Sequence, residues 1–382
     1  MLISSENQTL VNIILLQQCF GAGSIKAVRI FNLLRNNNLM DDKFTASSIK
    51  DIIDPKDKEK ILSFDINKIH SIIKDCLNNN IDIVTICDTN YPDRLRSIPD
   101  SPLALYVKGE FLDVDNLPFI SVVGPRNVSE FGKKAAFSIA KRLSKAGMII
   151  VSGAAIGADT LAHTGALVSG GKTIAVLGCG ICCDYLPENR NLRQEISKHG
   201  CLVSEYPPFT SATKYSFPIR NRIISALSLG TVVIEASLKS GSLITARLAN
   251  EQGRDVFVIP GNPTLENYKG SNALLRDGAI PLLNANDIFD QYISKFPNQI
   301  DTIKAFDDND EKNNKKIKKN LNLDLSKEAE IVYNSLNKEK FTADDLLNLD
   351  LNDDSILTAL TELEMEGVIR ALPGGMYELI NR

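Results

Sequence analysis

SVVGPRN, residues 121–127, sets an apolar β-branched run directly against a glycine, and a helix-forming segment, SEFGKKAAFSIAKRLSKAG, follows it. The same order of residue types returns in VSGAAIGAD (151–159) and VLGCG (176–180). Glycine at such a turn lets backbone N–H groups come close to a ligand, and the helix N-terminus behind it favours an anion. Turns of this kind in one sheet open on its carboxyl edge, where open α/β sheets bind ligands. FPIRNRII (217–224) adds a basic run. With Arg126, Lys214, Arg220 and Arg222 near these turns, the expected ligand is polyanionic, either a nucleotide or a nucleic acid.

Working outward, strand and helix patterns alternate from residue 117. The expected strands FISVVG, MIIVSG, TIAVLG, CLVSEY, TVVIEA and DVFVIPG are near-continuous apolar runs. Such strands suit a parallel sheet covered on both faces, and the alternation with helices predicts an α/β, doubly wound, mostly parallel fold. Residues 1–85 read as helical, with LVNIILLQQCF and IKAVRIFNLL separated by GAGS at 21–24. That outline fits a plain helical hairpin or a helix–hairpin–helix unit presenting N–H groups to a phosphate. The sheet-bearing core is expected over 86–300. Residues 301–322, centred on DDNDEKNNKKIKK, carry too little apolar surface to pack and read as a flexible charged linker. Residues 323–382 read as three helices and a β-hairpin, VIRAL-PGG-MYELI, which is a winged-helix outline. Ser326 and Thr342 are its expected helix caps, and Ile356, Leu360 and Leu363 its apolar helix face.

The formal net charge of −4 hides an uneven distribution. Residues 116–300 carry +6, residues 1–115 carry −3, and residues 323–382 carry −8. Local field rather than net charge attracts a polyanion, so the basic middle is the expected binding region. No apolar run reaches the roughly 20 residues that cross a bilayer, and no secretory signal is visible. Seven cysteines without paired spacing fit a reducing, cytosolic setting. Cys179, Cys182 and Cys183 lack the partner pair of a zinc site, so neither a metal nor another cofactor is expected.

The candidate site residues are Arg126, Ser152, Gly153, Lys214, Phe217, Arg220, Asn221, Ser240, Gly241 and Ser242. Arg126 can fork onto a phosphate or stack under a base. Lys214 beside Phe217 pairs a cation with a ring, as single-strand channels do. Arg220, Asn221 and Arg222 occupy successive sides of a helix start, so one arginine is expected to be structural. Ser240-Gly241-Ser242 opens a helix and can form an anion nest. Glu235 is a single carboxylate without a mate, which is thin support for acid/base catalysis, and His163 reads as a structural histidine.

Six ordered motifs carry a family resemblance. VVGPRNVSEFG, VSGAAIGADTLAHTGAL, TIAVLGCGICCDYLPENRNL, SEYPPFTSATKYSFPIRNRIISALS, IEASLKSGSLITARLANEQGRDVFVIPGN and GSNALLRDGA resemble, in order, those of the DNA processing protein A (DprA, or Smf) family. The resemblance is close over 81–290. It implies an extended Rossmann-like core that binds single-stranded DNA, protects it during natural transformation, and helps load the RecA recombinase. It also implies a cytosolic homodimer without a catalytic step, with Arg126, Ser152, Gly153, Lys214, Phe217, Ser240 and Gly241 in the DNA pocket. The apolar Ala273–Leu275 and Ala279–Leu283 segments are the expected self-association edge. Pro125 and Ala158 depart from the family's usual residues and bear on turn shape. The competing class is a nucleotide phosphoribohydrolase, whose PGGxGTxxE-like loop would need a glutamate that SGSLITARLA lacks at the corresponding place.

Overall fold

The computed structural model describes residues 7–49, 52–306, 326–336, 340–346, 349, 351, 353–365, 369–372 and 376–379. The chain divides into two compact units, 1–317 and 318–382. The charged run 307–319, the Pro-Gly-Gly turn at 373–375, Glu366 and Gly367 lie outside the described residues.

The first unit opens with four helices: α1 (Gln8–Phe20), α2 (Ile25–Asn36), α3 (Pro55–Leu62) and α4 (Ile66–Asn78). Each starts on a side-chain cap, from Asn7, Ser24, Asp54 and Asp65 respectively. There follow β1 (Asp82–Thr85), the short α5 (Asp93–Arg96) and β2 (Ala104–Gly109). The alternating stretch is β3 (Phe119–Val123), α6 (Glu130–Lys145), β4 (Ile149–Ser152), α7 (Ala158–Val168), β5 (Thr173–Leu177), α8 (Arg190–Lys198) and β6 (Gly200–Ser204). It continues with α9 (Ser216–Leu227), β7 (Gly230–Val233), α10 (Ser242–Glu251), β8 (Asp255–Val258), α11 (Lys269–Arg276) and β9 (Ile280–Pro281). Two helices, α12 (Asn286–Tyr292) and α13 (Thr302–Ala305), close the unit.

The strands form one nine-stranded sheet ordered β1-β2-β6-β5-β4-β3-β7-β8-β9. Every pairing from β6 to β9 is parallel, and β1 and β2 join antiparallel at one edge. This is the expected doubly wound, mostly parallel α/β fold. The chain winds outward from β3 through β4, β5 and β6, then returns to lay β7 on the other side of β3. The topological switch point therefore falls between β3 and β7, beside the SVVGPRN turn. On one face Ile120, Val122, Ile150, Val232 and Ile234 pack against Ala136, Ala140 and Leu143 of α6 and Ala162 and Ala166 of α7.

Residues 301–306 of the expected linker are packed. Asp301 caps α13, and Ala305 is buried within the core cluster. The Phe306 ring lies 5.0 Å from the Arg142 guanidinium carbon.

The second unit contains α14 (Lys327–Ser335), β10 (Lys340–Thr342), α15 (Asp353–Met365), β11 (Ile369–Leu372) and β12 (Met376–Leu379). Ser326 caps α14 through Ala329 N–H, and Ile356, Leu360 and Leu363 are buried. Thr342 instead donates its backbone N–H and its hydroxyl to Asp345, over a single turn of 3₁₀ helix. A third strand, β10, pairs with β12 beside the expected hairpin.

His163 lies wholly inside the first unit, its Nδ1 2.8 Å from Thr173 Oγ1. Burial, with Arg220 nearby, lowers it to about 3. A neutral, buried histidine takes up a proton more readily when unfolded, where its pKa is about 6.5. Its contribution is therefore complete above about pH 6.5 and is lost as pH falls toward 3, by roughly 1.4 kcal/mol per pH unit at most. Urea midpoints measured from pH 7.5 to pH 4.5 should fall less steeply for His163→Gln than for the parent. Parallel slopes would remove His163 from the acid response.

Candidate nucleic-acid interface

The carboxyl edge of β3, β4 and β5 is built on α9. Thr213 and Ser216 hydrogen-bond reciprocally, each backbone N–H meeting the other's hydroxyl at 3.1 and 3.2 Å. This lets the helix begin at Ser216, ahead of the expected Arg220–Arg222 start. Pro218 then sits in the first turn, where a missing N–H costs nothing. Phe217 and Arg220, three residues apart, share a helix face over the end of β5.

Arg220 is buried, 5% exposed. Its Nη1 donates to the Gly153 carbonyl at 2.8 Å and to the Val176 carbonyl, joining the ends of β4 and β5. Asp159 lies beside it and accepts from the Gly153 and Ala155 N–H groups at 3.1 and 3.3 Å. Burial pushes the Asp159 carboxyl up, and Arg220 with those N–H groups opposes the rise. Burial likewise pulls Arg220 down, opposed by Asp159. The pair fixes the second turn from beneath. A side chain at Gly153 would put its Cβ 2.5 Å from Arg220 Cζ. Gly157 has φ +93° and would put a Cβ 2.5 Å from the Pro125 carbonyl oxygen. The Ala158 N–H donates to that same oxygen at 3.2 Å. The second turn is thus locked against the first.

On this base stands an aromatic and cationic cluster. The exposed Arg126 guanidinium carbon lies 5.6 Å from the centre of the Phe217 ring. Phe217 meets the Tyr185 ring at 5.3 Å with the planes 40° apart. Arg126 Nη2 donates to Tyr185 Oη at 3.3 Å. Lys214 and Tyr215 are both exposed, with Lys214 Nζ 5.0 Å from the Tyr215 ring.

The ten sequence-derived residues occupy different depths. Arg126 and Lys214 are exposed, and Phe217 is half-buried. Ser152 is fully buried, its hydroxyl donating to the Val122 carbonyl at 2.7 Å, and Gly153 lies against Arg220. Asn221 Oδ1 accepts from Arg220 Nε at 3.2 Å. Ser240, Gly241 and Ser242 lie beyond β7, across the switch point from Arg126. The Ser240 and Ser242 hydroxyls face each other at 2.7 Å at the start of α10.

The expectation that one arginine of the pair is structural understates the case, because both are buried. Arg222 Nη2 lies 2.8 Å from both oxygens of the buried Glu205, and its Nε 3.1 Å from Asp100. Glu205 also accepts from the Gly23 N–H at 3.1 Å. The GAGS hairpin therefore offers this N–H to an internal carboxylate. Glu235 is likewise enclosed. It accepts from Ser129 N–H at 2.6 Å, Ser129 Oγ at 2.8 Å and Asn267 Nδ2 at 2.9 Å, tying the end of β7 to the start of α6. Among the described residues no group of three His, Cys, Asp or Glu side chains is placed to hold a metal ion. Nor is any helix among them long and apolar enough to cross a membrane.

The sequence reading passed over Tyr185 and Tyr215. Tyr185 sits in a loop without periodicity, and its approach to Phe217 is a contact between distant segments.

Comparison with known proteins identifies relatives of this arrangement. The family model described as DNA recombination-mediator protein A matches residues 82–293, and the DprA winged helix domain model matches 318–375. The DNA processing protein DprA of Bacillus subtilis (strain 168) is 38% identical over 224 residues, 59% of this chain and 75% of that protein. The X-ray structure of DNA processing protein A from Streptococcus pneumoniae superposes with a TM-score of 0.64 at 34% identity, covering 74% of this chain and 97% of that one. A structure of DNA processing protein A from Helicobacter pylori, concerned with that protein's single-stranded DNA binding mode, gives 0.51 at 31% identity, over 56% of this chain and 96% of that one.

Gly153→Ala tests the foundation of the site. Arg220 is held by the Gly153 and Val176 carbonyls and by Asn221 Oδ1, so the added methyl should cost about 1–3 kcal/mol, the usual range for overpacking. Urea unfolding would measure it. A neutral result would mean that Arg220 can move aside freely.

Proposed function

The chain belongs to the DNA recombination-mediator protein A family, and on that premise we propose that it binds single-stranded DNA at the carboxyl edge of β3, β4 and β5. The observation that carries this reading is the exposed Arg126 guanidinium over Phe217, with Lys214 on the same helix approach. A single strand offers phosphates to the cations and unpaired bases to the rings, whereas duplex bases are stacked and closed to such contact. The Helicobacter pylori relative, studied for its single-stranded DNA binding mode, supports the same ligand. In this reading Arg126, Lys214 and Phe217 contact the strand. Ser152, Gly153 and Arg220 hold the turn, and Asn221 offers its amide from the same helix. Ser240, Gly241 and Ser242 supply a second anion-binding terminus across the switch point. The protein's role is to protect the strand and help load the RecA recombinase, acting as a homodimer.

Binding rather than catalysis is favoured by the surroundings of Glu235. That carboxylate, the candidate for a hydrolase reading, already accepts three hydrogen bonds that tie loops together.

Labelled oligo-dT and a duplex of equal length, titrated at two salt concentrations, test the reading. The single strand should bind more tightly. Each phosphate neutralised adds roughly −0.7 to the log–log salt slope, so Lys214→Ala should flatten the slope by about that much. Phe217→Ala should cost roughly 1–3 kcal/mol of binding. Unchanged affinity in a folded Lys214→Ala/Phe217→Ala double variant would place the strand elsewhere.

The acidic second unit is not the main DNA contact in this reading. Asp353, Asp354, Glu362, Glu364 and Glu366 belong to the segment in the place of a recognition helix, and carboxylates oppose phosphate neutralisation. Glu362 is already occupied, accepting the Ser326 N–H and hydroxyl, each at 2.6 Å. A chain ending after Phe306, which preserves α13, should keep most of the single-strand affinity. Residues 323–382 alone should bind negligibly at physiological salt. Equal affinity of the isolated unit and the full chain would overturn the charge argument.

A further inference from the structure

We propose that Tyr185 is a positioning residue for strand binding, holding Arg126 and Phe217 as one preset unit. The proposal rests on the reading of this edge as the DNA site. Among the described residues, Tyr185 Oη is the one hydrogen-bond acceptor that the Arg126 guanidinium meets, and no carboxylate pairs with it. The Tyr185 ring meets Phe217 at 5.3 Å, and Arg126 lies over Phe217 at 5.6 Å. Two otherwise separate ligand groups are therefore tied together by one side chain, through its hydroxyl and through its ring.

The loop carrying Tyr185 is held firmly enough to serve this purpose. Arg193 Nη1 donates to the Tyr185 carbonyl. Asn189 Nδ2 donates to the Ala154 carbonyl at 3.0 Å and to Thr160 Oγ1 at 2.9 Å, stapling the loop to the second turn. On its far side the Cys182 N–H donates to the Pro208 carbonyl at 2.7 Å. Leu186, next in the chain, has φ +55°, a left-handed conformation that a branched side chain keeps only when its surroundings impose it. The strain lies beside the residue that sets the ligand groups.

An exposed arginine surrenders rotamer freedom when it binds a phosphate. One already lying over a ring and hydrogen-bonded at one nitrogen surrenders less. The guanidinium N–H groups not bonded to Tyr185 are left for a phosphate, which can take them in a fork. The Tyr185 hydroxyl thus acts on the strand through Arg126, and its contribution should vanish once Arg126 is absent.

A double-mutant cycle on the full chain tests this, using fluorescein-labelled oligo-dT and anisotropy over a range of salt. Tyr185→Phe keeps the ring and removes the hydroxyl. It should weaken binding about five-fold, the worth of one ordinary hydrogen bond. Arg126→Ala should weaken binding further and flatten the salt slope. The double variant should match Arg126→Ala within about two-fold, because coupled residues do not add. Wild-type affinity for Tyr185→Phe, or losses that multiply in the double variant, would overturn the proposal. A general loss of stability weakens both backgrounds alike and so also produces multiplying losses. If Arg126→Ala and Lys214→Ala both bind as the parent does, the strand site itself is misplaced. If those two weaken binding while Tyr185→Phe does not, only the positioning role falls.

Discussion

The Arg220 guanidinium, buried between the ends of β4 and β5, is the interaction on which the candidate site depends. It joins the Gly153 and Val176 carbonyls, and the buried Asp159 carboxylate nearby offsets its charge. Each partner taken alone would be a costly buried charge, and together they are held by N–H donors and carbonyl acceptors. What the pair secures is geometry. The second turn is fixed from beneath, Gly157 fits against the Pro125 carbonyl, and the first turn carries Arg126 outward. Phe217 lies one helical turn before Arg220, so the anchor that points into the sheet also sets the height of the ring above it.

Arg222 plays the corresponding part on another side of the same helix. Two residues along a helix rotate the side chain by about 200°, which explains why neighbouring arginines secure different parts of the fold. Arg222 meets Glu205 and Asp100, and Glu205 in turn accepts from Gly23 in the N-terminal hairpin. Gln17 reinforces the join, its amide donating to the Ala104 and Glu205 carbonyls at 3.0 and 2.9 Å. The N-terminal helices are thereby hydrogen-bonded to the sheet edge. Removing Arg222 would leave the buried Glu205 carboxylate without its cation, a loss of roughly 3–5 kcal/mol, whereas removing Glu205 leaves Arg222 with Asp100.

The sheet was legible in the sequence because buried parallel strands are nearly continuous apolar runs and their glycine turns recur in order. The cations were harder to read. A basic run such as RNR looks like a polyanion contact when only residue types are visible, yet the carboxylates that absorb it, Asp159, Glu205 and Asp100, come from three distant segments. The same limit hid Tyr185, whose significance comes from its approach to Phe217 across 32 residues of chain. The helix start at Ser216 was missed for a local reason. A proline in a first turn resembles a break unless the Thr213–Ser216 reciprocal bonds are recognised as a cap.

This internal use of charge alters the electrostatic argument for binding. The core's +6 counts Arg220 and Arg222, yet both are enclosed with carboxylates and can release no counterions from DNA. Among the described residues, the exposed cations at this edge are Arg126 and Lys214, with Lys239 exposed ahead of α10 across the switch point. Two or three phosphate contacts would give a salt slope of about −1.4 to −2.1, far shallower than the core's formal charge suggests. On the proposed function, most of the affinity would then come from a source that salt does not screen. The aromatic side chains are the available one. Phe217 and Tyr185 form a preset tilted pair, Tyr215 is 68% exposed, and Phe209 is 58% exposed on the loop leading to α9. Stacking tolerates any base, because every base presents a π-face. On the proposed function, a site built in this way would hold single strands with little regard to sequence, as a recombination mediator handling arbitrary DNA requires.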